Sequence, residues 1–308
     1  MTERKLQFTG GSSFIVSLPK DWVEKAGLKA GSSVHIAAEN DGSLRLSPRL
    51  IEARSKEAAI EKGTTENTLR RILAAYIAGA DSIVVKGKDT AEVCEEARLR
   101  LSGLEIVEEQ RDRTVMRVLA HEEELNYDVL LKRLYVVSEV LCNLAIRTVS
   151  KNEDVKLEAQ RRDNDADRLY LLIMRCLYNN PCTNVPMKTL VAKGMERVAD
   201  HAEVICMRAG RIAPDAVLAA LLKDTVQLYS EAFKAVTEGK YDEHIFERHD
   251  YLLKQFNNRR AAFSRREHKK DRLLTFETVC GSSTRILERA LAFGEMAANV
   301  NALDERSL

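Results

Sequence analysis

Residues 196–203 have the sequence ERVADHAE, and residues 288–295 have the sequence ERALAFGE. Both stretches begin with Glu-Arg, end with Glu and place apolar residues at helical spacing, so each predicts one helix of a repeated unit. A second matching pair occurs upstream in the same order, because DRLYLL at 167–172 parallels DYLL at 250–253. The sequence therefore predicts a group of three helices that occurs twice.

The repeat lies in a helical segment that spans residues 122–308. Its long amphipathic stretches are separated by short Asn, Pro and Gly breaks, which is typical of antiparallel neighbours in a bundle. The six helices are predicted near 125–150, 153–179, 184–211, 214–239, 242–266 and 268–303.

The middle segment, residues 50–121, alternates between helical and strand patterns. A helix is predicted at 66–78 and another at 91–101, with a strand at 82–85 between them and a hairpin formed by 104–107 and 115–119. This alternation predicts a small α+β domain. No phosphate-binding glycine pattern occurs in it, so we interpret it as a connector or dimerisation domain.

The first segment, residues 1–49, has short strand patterns separated by glycine turns. Strands are predicted at 4–8, 14–18, 34–38 and 44–46, with one or two helical turns at 21–26. A unit this small buries too little surface to be stable alone, so we expect it to pair with a second copy.

The order of these elements resembles the SpoVT/AbrB type of DNA-binding domain. The resemblance depends on RKLQ at 4–7, the TGGSS turn at 9–13, IVSLPK at 15–20 and GLKAGSSV at 27–34. It implies a swapped-hairpin β-barrel, of which each of two chains supplies one half. It also implies that residues at the start of the domain and around the first hairpin contact DNA, here Arg4, Lys5, Gln7, Ser12, Ser13 and Lys20.

Cations, amides and hydroxyls are the groups that bind DNA phosphates, which favours this role for the six residues. However, the turn at 9–13 has Gly-Gly-Ser-Ser where many relatives place an arginine. A half-barrel that serves only dimerisation is the alternative.

The helical segment resembles PhoU, the phosphate-uptake regulator, whose fold is two three-helix bundles side by side. The matching features are ERxxDHA at 196–202 and the acidic stretch at 163–167. An N-terminal SpoVT/AbrB domain followed by a PhoU-like domain is similar to an archaeal arrangement that is usually named a phosphate uptake regulator. The resemblance implies a divalent or iron-type metal ion on the acidic helices.

Helical spacing explains how these helices would bind the ion. Asp163 and Asp167, like Glu196 and Asp200, are four residues apart, so each pair presents two carboxylates on one helix face. Two such helices in contact would gather four carboxylates, whose repulsion a hard or borderline cation would relieve. The alternative is an ordinary solvated acidic face, with Arg197 forming structural ion pairs.

The second repeat departs from this pattern. Ala292 occupies the position of Asp200, and Phe246 occupies the position of Asp163. We therefore expect one bundle that is competent to bind metal and one that has lost its site. His201 lies about 100° around the helix from Asp200 and is a weaker candidate ligand.

The global composition limits the classes of function. With 48 Lys+Arg against 47 Asp+Glu the net charge is +1, so DNA binding requires a local basic surface. No apolar run is long enough to span a bilayer and no signal-peptide core begins the chain, so we expect a cytoplasmic protein without membrane insertion. The six scattered cysteines are expected to be buried thiols.

No nucleotide-binding, hydrolase or zinc-protease motif occurs in the sequence, and the protein is not expected to be an enzyme. A carboxylate-bridged oxidase would require Glu-x-x-His pairs, which the acidic helices lack. Residues 259–272 contain a run of basic residues, which could contact an acidic partner or DNA phosphates. The alternative is a solvated helix end, which is favoured because Glu267 and Asp271 interrupt the run.

The sequence thus predicts a multidomain, mainly α protein: a swapped-hairpin β-barrel half, a small α+β domain and a pair of three-helix bundles. The predicted function is a homodimeric, DNA-binding transcriptional regulator of phosphate uptake that binds promoter regions. The alternative is an adaptor that restrains a phosphate transporter ATPase or a sensor kinase through protein contacts.

Overall fold

The computed structural model of the chain describes residues 3–10, 13–38, 44–48, 56–119, 126–179 and 184–304. The chain divides into two compact units, Met1–Ser55 and Lys56–Leu308. The predicted domain boundaries at 49/50 and 121/122 fall outside the described residues and stay predictions.

The first unit contains two antiparallel hairpins and a short helix. The first hairpin is β1 with β2, the second is β3 with β4, and α1 lies between them in the chain. Pairing in the first hairpin runs only from Gln7–Ile15 to Thr9–Ser13, so the predicted strand at 4–8 begins later than expected. The bounds are β1 Gln7–Thr9, β2 Ser13–Ile15, α1 Lys20–Lys25, β3 His35–Ala38 and β4 Leu44–Ser47.

None of the described side chains of this unit is buried. Its large apolar residues are exposed instead, and those of the first hairpin include Phe8 and Phe14. A fold that exposes its apolar side chains gains little from the hydrophobic effect. The unit therefore lacks a core of its own within the described chain, in agreement with the expectation that it pairs with a second copy.

The second unit begins with a four-stranded sheet in the order β5-β6-β8-β7. Strands β5 and β6 are parallel and the other neighbours are antiparallel, with a bulge in β7 between Ile106 and Glu108. The sequence did not predict β5. The bounds are β5 Glu57–Glu61, α2 Thr65–Ile77, β6 Ser82–Lys86, α3 Ala91–Arg100, β7 Leu104–Gln110 and β8 Arg113–Val118.

Six long helices follow, and each lies within a few residues of its predicted bounds. Their ends have local causes: Asn126 and Asp215 cap α4 and α7 with side-chain oxygens, and Asn152 and Gly239 end the same helices in the left-handed conformation. The bounds are α4 Tyr127–Lys151, α5 Lys156–Asn179, α6 Val185–Arg208, α7 Ala216–Glu238, α8 His244–Arg266 and α9 Lys270–Asp304, with a 3₁₀ turn at Ala209–Arg211 after α6.

The helices form the predicted pair of three-helix bundles. In the first bundle α4, α5 and α6 contact one another, and in the second α7, α8 and α9 do the same. The bundles meet where α6 packs against α9 and α4 against α7. At one close approach Gly194 of α6 lies against the buried ring of Phe293 of α9.

The sheet layer and the bundles share one hydrophobic core. Helix α5 contacts α2 and α3, and its Arg175 is fully buried at this junction. The Arg175 guanidinium donates to the carbonyls of Tyr76 and Ala80 at 2.6 and 2.9 Å and lies over the Tyr76 ring.

Five cysteines in the described part of the chain are buried and free, as expected: Cys94, Cys142, Cys176, Cys206 and Cys280. Burial raises the pKa of the Cys94 thiol to about 11. Within the described residues, no helix combines the length and the apolar character that crossing a membrane requires.

Candidate functional site

The predicted DNA-contacting residues are distributed over the first hairpin and the start of α1. Arg4 and Lys5 lie in the exposed segment before β1, which has no regular secondary structure, and Lys20 is the first residue of α1. Lys20 is exposed and lies 3.7 Å from Glu24. No hydrogen bond or ion pair among the described residues joins Lys20 to the hairpin. Ser12 lies outside the described residues.

Pairing in the hairpin places a mixture of polar and apolar side chains on one face and only aromatic side chains on the other. Gln7, Ser13 and Ile15 are on the mixed face, because Gln7 is opposite Ile15 and strand residues alternate. Phe8 and Phe14 are opposite each other on the other face, with ring centroids 5.1 Å apart. These two rings are 61% and 68% exposed, so the apolar face is open to solvent in a single chain.

The acidic cluster lies where α5 packs against α6. Carboxylate oxygens of Asp167, Glu196 and Asp200 all lie within 4.8 Å of one another. Asp163, one turn before Asp167, is half-buried beside this group. The structure therefore brings together three of the four predicted metal ligands and places the fourth next to them.

Two cations partly neutralise the cluster. Lys193 Nζ donates to Glu196 Oε1 at 2.5 Å, and Arg197 Nη1 donates to Asp200 Oδ2 at 2.8 Å. Two buried oxygens, Asp163 Oδ1 and Glu196 Oε2, have no hydrogen bond among the described residues, although Arg197 Nε is 3.6 Å from the latter. A buried polar atom without a hydrogen bond is costly, so these oxygens are suited to accept a further ligand.

The carboxylates of the cluster hold protons more tightly than isolated acids. Burial, and then the charges of Asp167 and Asp200, raise the pKa of Asp163 to about 7. Burial is also the main cause of the raised pKa values of Asp167 and Glu196. Asp167 has an exposed side chain, but its carboxylate faces the other acids of the cluster.

Glu203 is a neighbour of the cluster that the sequence reasoning missed. Its pKa is raised by burial and by the charge of Asp200. The signal was present, because Glu196, Asp200 and Glu203 follow an i, i+4, i+7 pattern on one face of α6. Burial lowers the pKa of the half-buried His201, which is not a member of the three-residue group.

The second bundle has apolar packing at the corresponding place. Phe246 of α8 packs against the core and against Tyr241, and it lies beside Gly294 of α9. Among the described residues, no group of three or more carboxylate, histidine or cysteine ligands occurs in this bundle.

The fold and the N-terminal hairpins define a multidomain, mainly α-helical protein with a small β domain at its N-terminus. Residues 7–52 match the family model described as "Antidote-toxin recognition MazE, bacterial antitoxin". This match supports the N-terminal domain predicted from the SpoVT/AbrB resemblance, since both share the swapped-hairpin fold. Domains of this type typically bind DNA and dimerise. No curated protein and no solved structure matches the chain.

Proposed function

We propose that this chain is a cytoplasmic, non-catalytic transcriptional regulator of phosphate uptake, which binds promoter DNA as a homodimer. One observation supports this most directly: the segment that matches the MazE model forms two hairpins with exposed apolar side chains, and Lys20 of the helix between them is exposed as well. The PhoU resemblance of the two bundles is the basis for the phosphate-specific part of the proposal.

The basic residues would provide a local, sequence-independent attraction to DNA. Arg4, Lys5 and Lys20 are exposed, and the surface ion pair of Lys20 with Glu24 costs little to break. Each cation that neutralises a phosphate releases a counterion, so binding should fall steeply with salt. Gln7 and Ser13, which share one face of the hairpin, would add hydrogen bonds.

Enrichment of genomic fragments by the purified protein tests DNA binding. The assay is run at about 50 mM and about 200 mM salt, a range over which phosphate-mediated binding weakens markedly. We expect a few promoters to be enriched by the wild type, less so at the higher salt, and not by Arg4→Ala/Lys5→Ala/Lys20→Ala.

The matched control is Lys132→Ala/Arg133→Ala/Lys223→Ala, which removes three exposed cations from the helical unit. This control should enrich the same promoters as the wild type. If the wild type enriches no DNA at either salt concentration, the proposal that the protein regulates transcription by binding DNA is wrong.

The acidic cluster is proposed to bind a divalent or iron-type cation. Three carboxylates within 4.8 Å, with two buried oxygens that lack hydrogen bonds, fit the all-oxygen coordination that hard cations prefer. Asp163, Asp167, Glu196 and Asp200 would be the ligands. The ion would neutralise the mutual repulsion of these acids and so join α5 to α6, which gives the bundle a state that depends on metal.

Metal content and thermal unfolding of EDTA-treated protein, with Mn²⁺ or Mg²⁺ added back, test this site. Binding only to the folded state should raise the Tm with metal concentration. Asp167→Asn/Asp200→Asn should abolish this rise. Asp250→Asn/Glu288→Gln, at the positions of the second repeat that correspond to Asp167 and Glu196, should preserve it. Equal responses of the two variants would contradict the assignment.

An adaptor is the second candidate function. In this case the N-terminal unit would serve only dimerisation, and the bundles would restrain a phosphate transporter ATPase or a sensor kinase. The Gly-Gly-Ser-Ser turn at 10–13, which has no arginine, favours this alternative. A protein that dimerises but enriches no DNA would support the adaptor.

A further inference from the structure

A cavity of about 500 Å³ lies between the C-terminal end of α6 and the N-terminal turns of α9. It belongs neither to the acidic cluster nor to the N-terminal unit. Its lining residues come from α6, from the 3₁₀ turn and from the first turns of α9, and they are Arg208, Arg211, Asp271, Arg272, Leu274, Thr275 and Thr278.

Local structure directs three guanidinium groups toward this cavity. Arg208 ends α6 and Arg211 ends the 3₁₀ turn, so the two side chains are one turn apart on the same side. The turn is anchored by the buried side chains of Ala209 and Ile212. Arg272 faces the same cavity from the first turn of α9.

The charges around the cavity are not balanced. Arg208 and Arg211 are exposed, and neither takes part in an ion pair or hydrogen bond with another described residue. Three arginines and one acid, Asp271, line the cavity, so the lining has a net charge of +2. Outside the lining, Glu267 lies 3.4 Å from Arg272 and partly compensates it. Arginine does not lose its proton, and solvent and salt only screen the repulsion among these exposed side chains, so a bound anion would lower it further.

Other arginines close to this helix break are compensated within the protein. Arg259 donates to Asp215, and Arg260 donates to Thr284 and lies 3.6 Å from Glu277. The basic run at 259–272 therefore has more than one role. Arg259 and Arg260 stabilise the second bundle, and Arg272 contributes to the cavity.

We infer that this cavity binds a small anion with a phosphoryl group. The planar guanidinium group of arginine can donate to two phosphate oxygens at once, and three guanidinium groups suit a ligand with two or more negative charges. Thr275 and Thr278 add hydroxyl groups to the lining. A volume of about 500 Å³ lies within the range of small-ligand pockets.

This inference does not depend on DNA binding or on metal binding. The cavity is formed entirely within the second unit, and its residues are separate from the predicted DNA-contacting residues and from the carboxylates. Its occupant would contact α6 and α9 together, which are the helices through which the two bundles meet.

Isothermal titration calorimetry of the full chain with inorganic phosphate, pyrophosphate and ATP tests the inference. EDTA is included so that metal–phosphate complexes at the carboxylates do not contribute to the signal. We expect saturable binding of at least one probe. Arg208→Gln/Arg211→Gln should weaken it at least tenfold, and Thr275→Val should weaken it less.

Lys132→Gln/Arg133→Gln is the matched control, because it removes two exposed charges near the N-terminus of α4 that do not line the cavity. It should bind like the wild type, and circular dichroism should show all variants to be folded. The tightest probe distinguishes free phosphate from a phosphate chain or a nucleotide. Absence of saturable binding up to about 10 mM, above the millimolar range of weak ligands, would overturn the inference. Equal affinity of the Arg208/Arg211 variant, or an equal loss in the control, would also do so.

Discussion

Asp163 is a residue of the acidic cluster whose ionisation depends on its surroundings. Its half-buried carboxyl faces the other acids of the cluster, and its pKa is raised to about 7. The folded protein therefore binds a proton that the unfolded chain has already released at pH 5 to 6. The contribution of Asp163 to stability is greatest below its unfolded pKa of about 4 and is lost as pH rises through about 7.

The first prediction concerns Asp163→Asn in metal-free protein. Asparagine does not ionise, so the free energy of unfolding of the wild type should fall by about 1–2 kcal/mol relative to the variant between pH 5 and pH 8. Urea denaturation in EDTA at several pH values measures the difference. Parallel pH profiles would show that Asp163 is ionised throughout this range, and the prediction would then be wrong.

At the scale of elements, the contact between α6 and α9 depends on a glycine. A Cβ atom at Gly194 would lie 2.6 Å from Cε1 of Phe293, whose ring is fully buried. The close approach of the two helices is possible because this position has no side chain. Gly281 of α9 is also helical, but a Cβ atom there meets no atom within 4 Å.

The second prediction compares these two glycines. Gly194→Ala should lower the free energy of unfolding by about 1–3 kcal/mol, because the buried ring has no room to move. Gly281→Ala should raise it by about 0.5–1 kcal/mol, because alanine favours the helix. Chemical denaturation of both variants measures these changes, and a stabilising Gly194→Ala would contradict the packing described above.

The junction between the sheet layer and the bundles depends on Arg175. Its side chain is 1% exposed and satisfies two backbone carbonyls at the end of α2. Asn179 Nδ2, one turn later on α5, donates to the Ile77 carbonyl. A guanidinium group is suited to this place because it presents several donors in one plane.

The third prediction is that Arg175→Met destabilises the protein by about 2–4 kcal/mol, because the Ala80 carbonyl loses its side-chain donor and the Tyr76 carbonyl is left with the Gly79 amide. Arg161→Met, at an exposed position of the same helix, should change the free energy of unfolding by less than about 0.5 kcal/mol. Denaturant titration of both variants measures this difference. Similar stabilities would mean that the carbonyls find other donors.

At the scale of the whole molecule, the two units differ in how they are stabilised. The helical unit has a continuous core, whereas the described part of the N-terminal unit has no buried side chain and an open apolar hairpin face. Such a face favours burial against a second copy of the same unit, as the SpoVT/AbrB resemblance implies.

The fourth prediction is that Phe8→Ser/Phe14→Ser converts a dimer to a monomer in analytical ultracentrifugation, because it removes the paired rings of the hairpin. Leu157→Ser/Val217→Ser, which changes two exposed apolar residues of the helical unit, should leave the dimer intact. If the Phe8/Phe14 variant stays dimeric, dimerisation does not depend on this hairpin.

Most elements could be predicted from the sequence because their causes are local. Apolar spacing together with Asn, Pro and Gly breaks located all six long helices, and two short apolar stretches located the hairpin of β7 and β8. Strand β5 was missed because Glu57–Glu61, EAAIE, has helix-forming residues. Its strand conformation depends on parallel pairing with β6, a partner about 25 residues away.

The candidate sites show the same division. Spacing along single helices located the acidic pairs of α5 and α6, since residues four apart share a face. The burial of Arg175, the exposed apolar hairpin and the cavity with three arginines were not predicted, because each depends on contacts between segments far apart in the chain. The spacing of residues in the sequence shows which side chains share one face of a helix or strand. Only tertiary packing determines which helices and strands meet and which charged side chains lie without a partner.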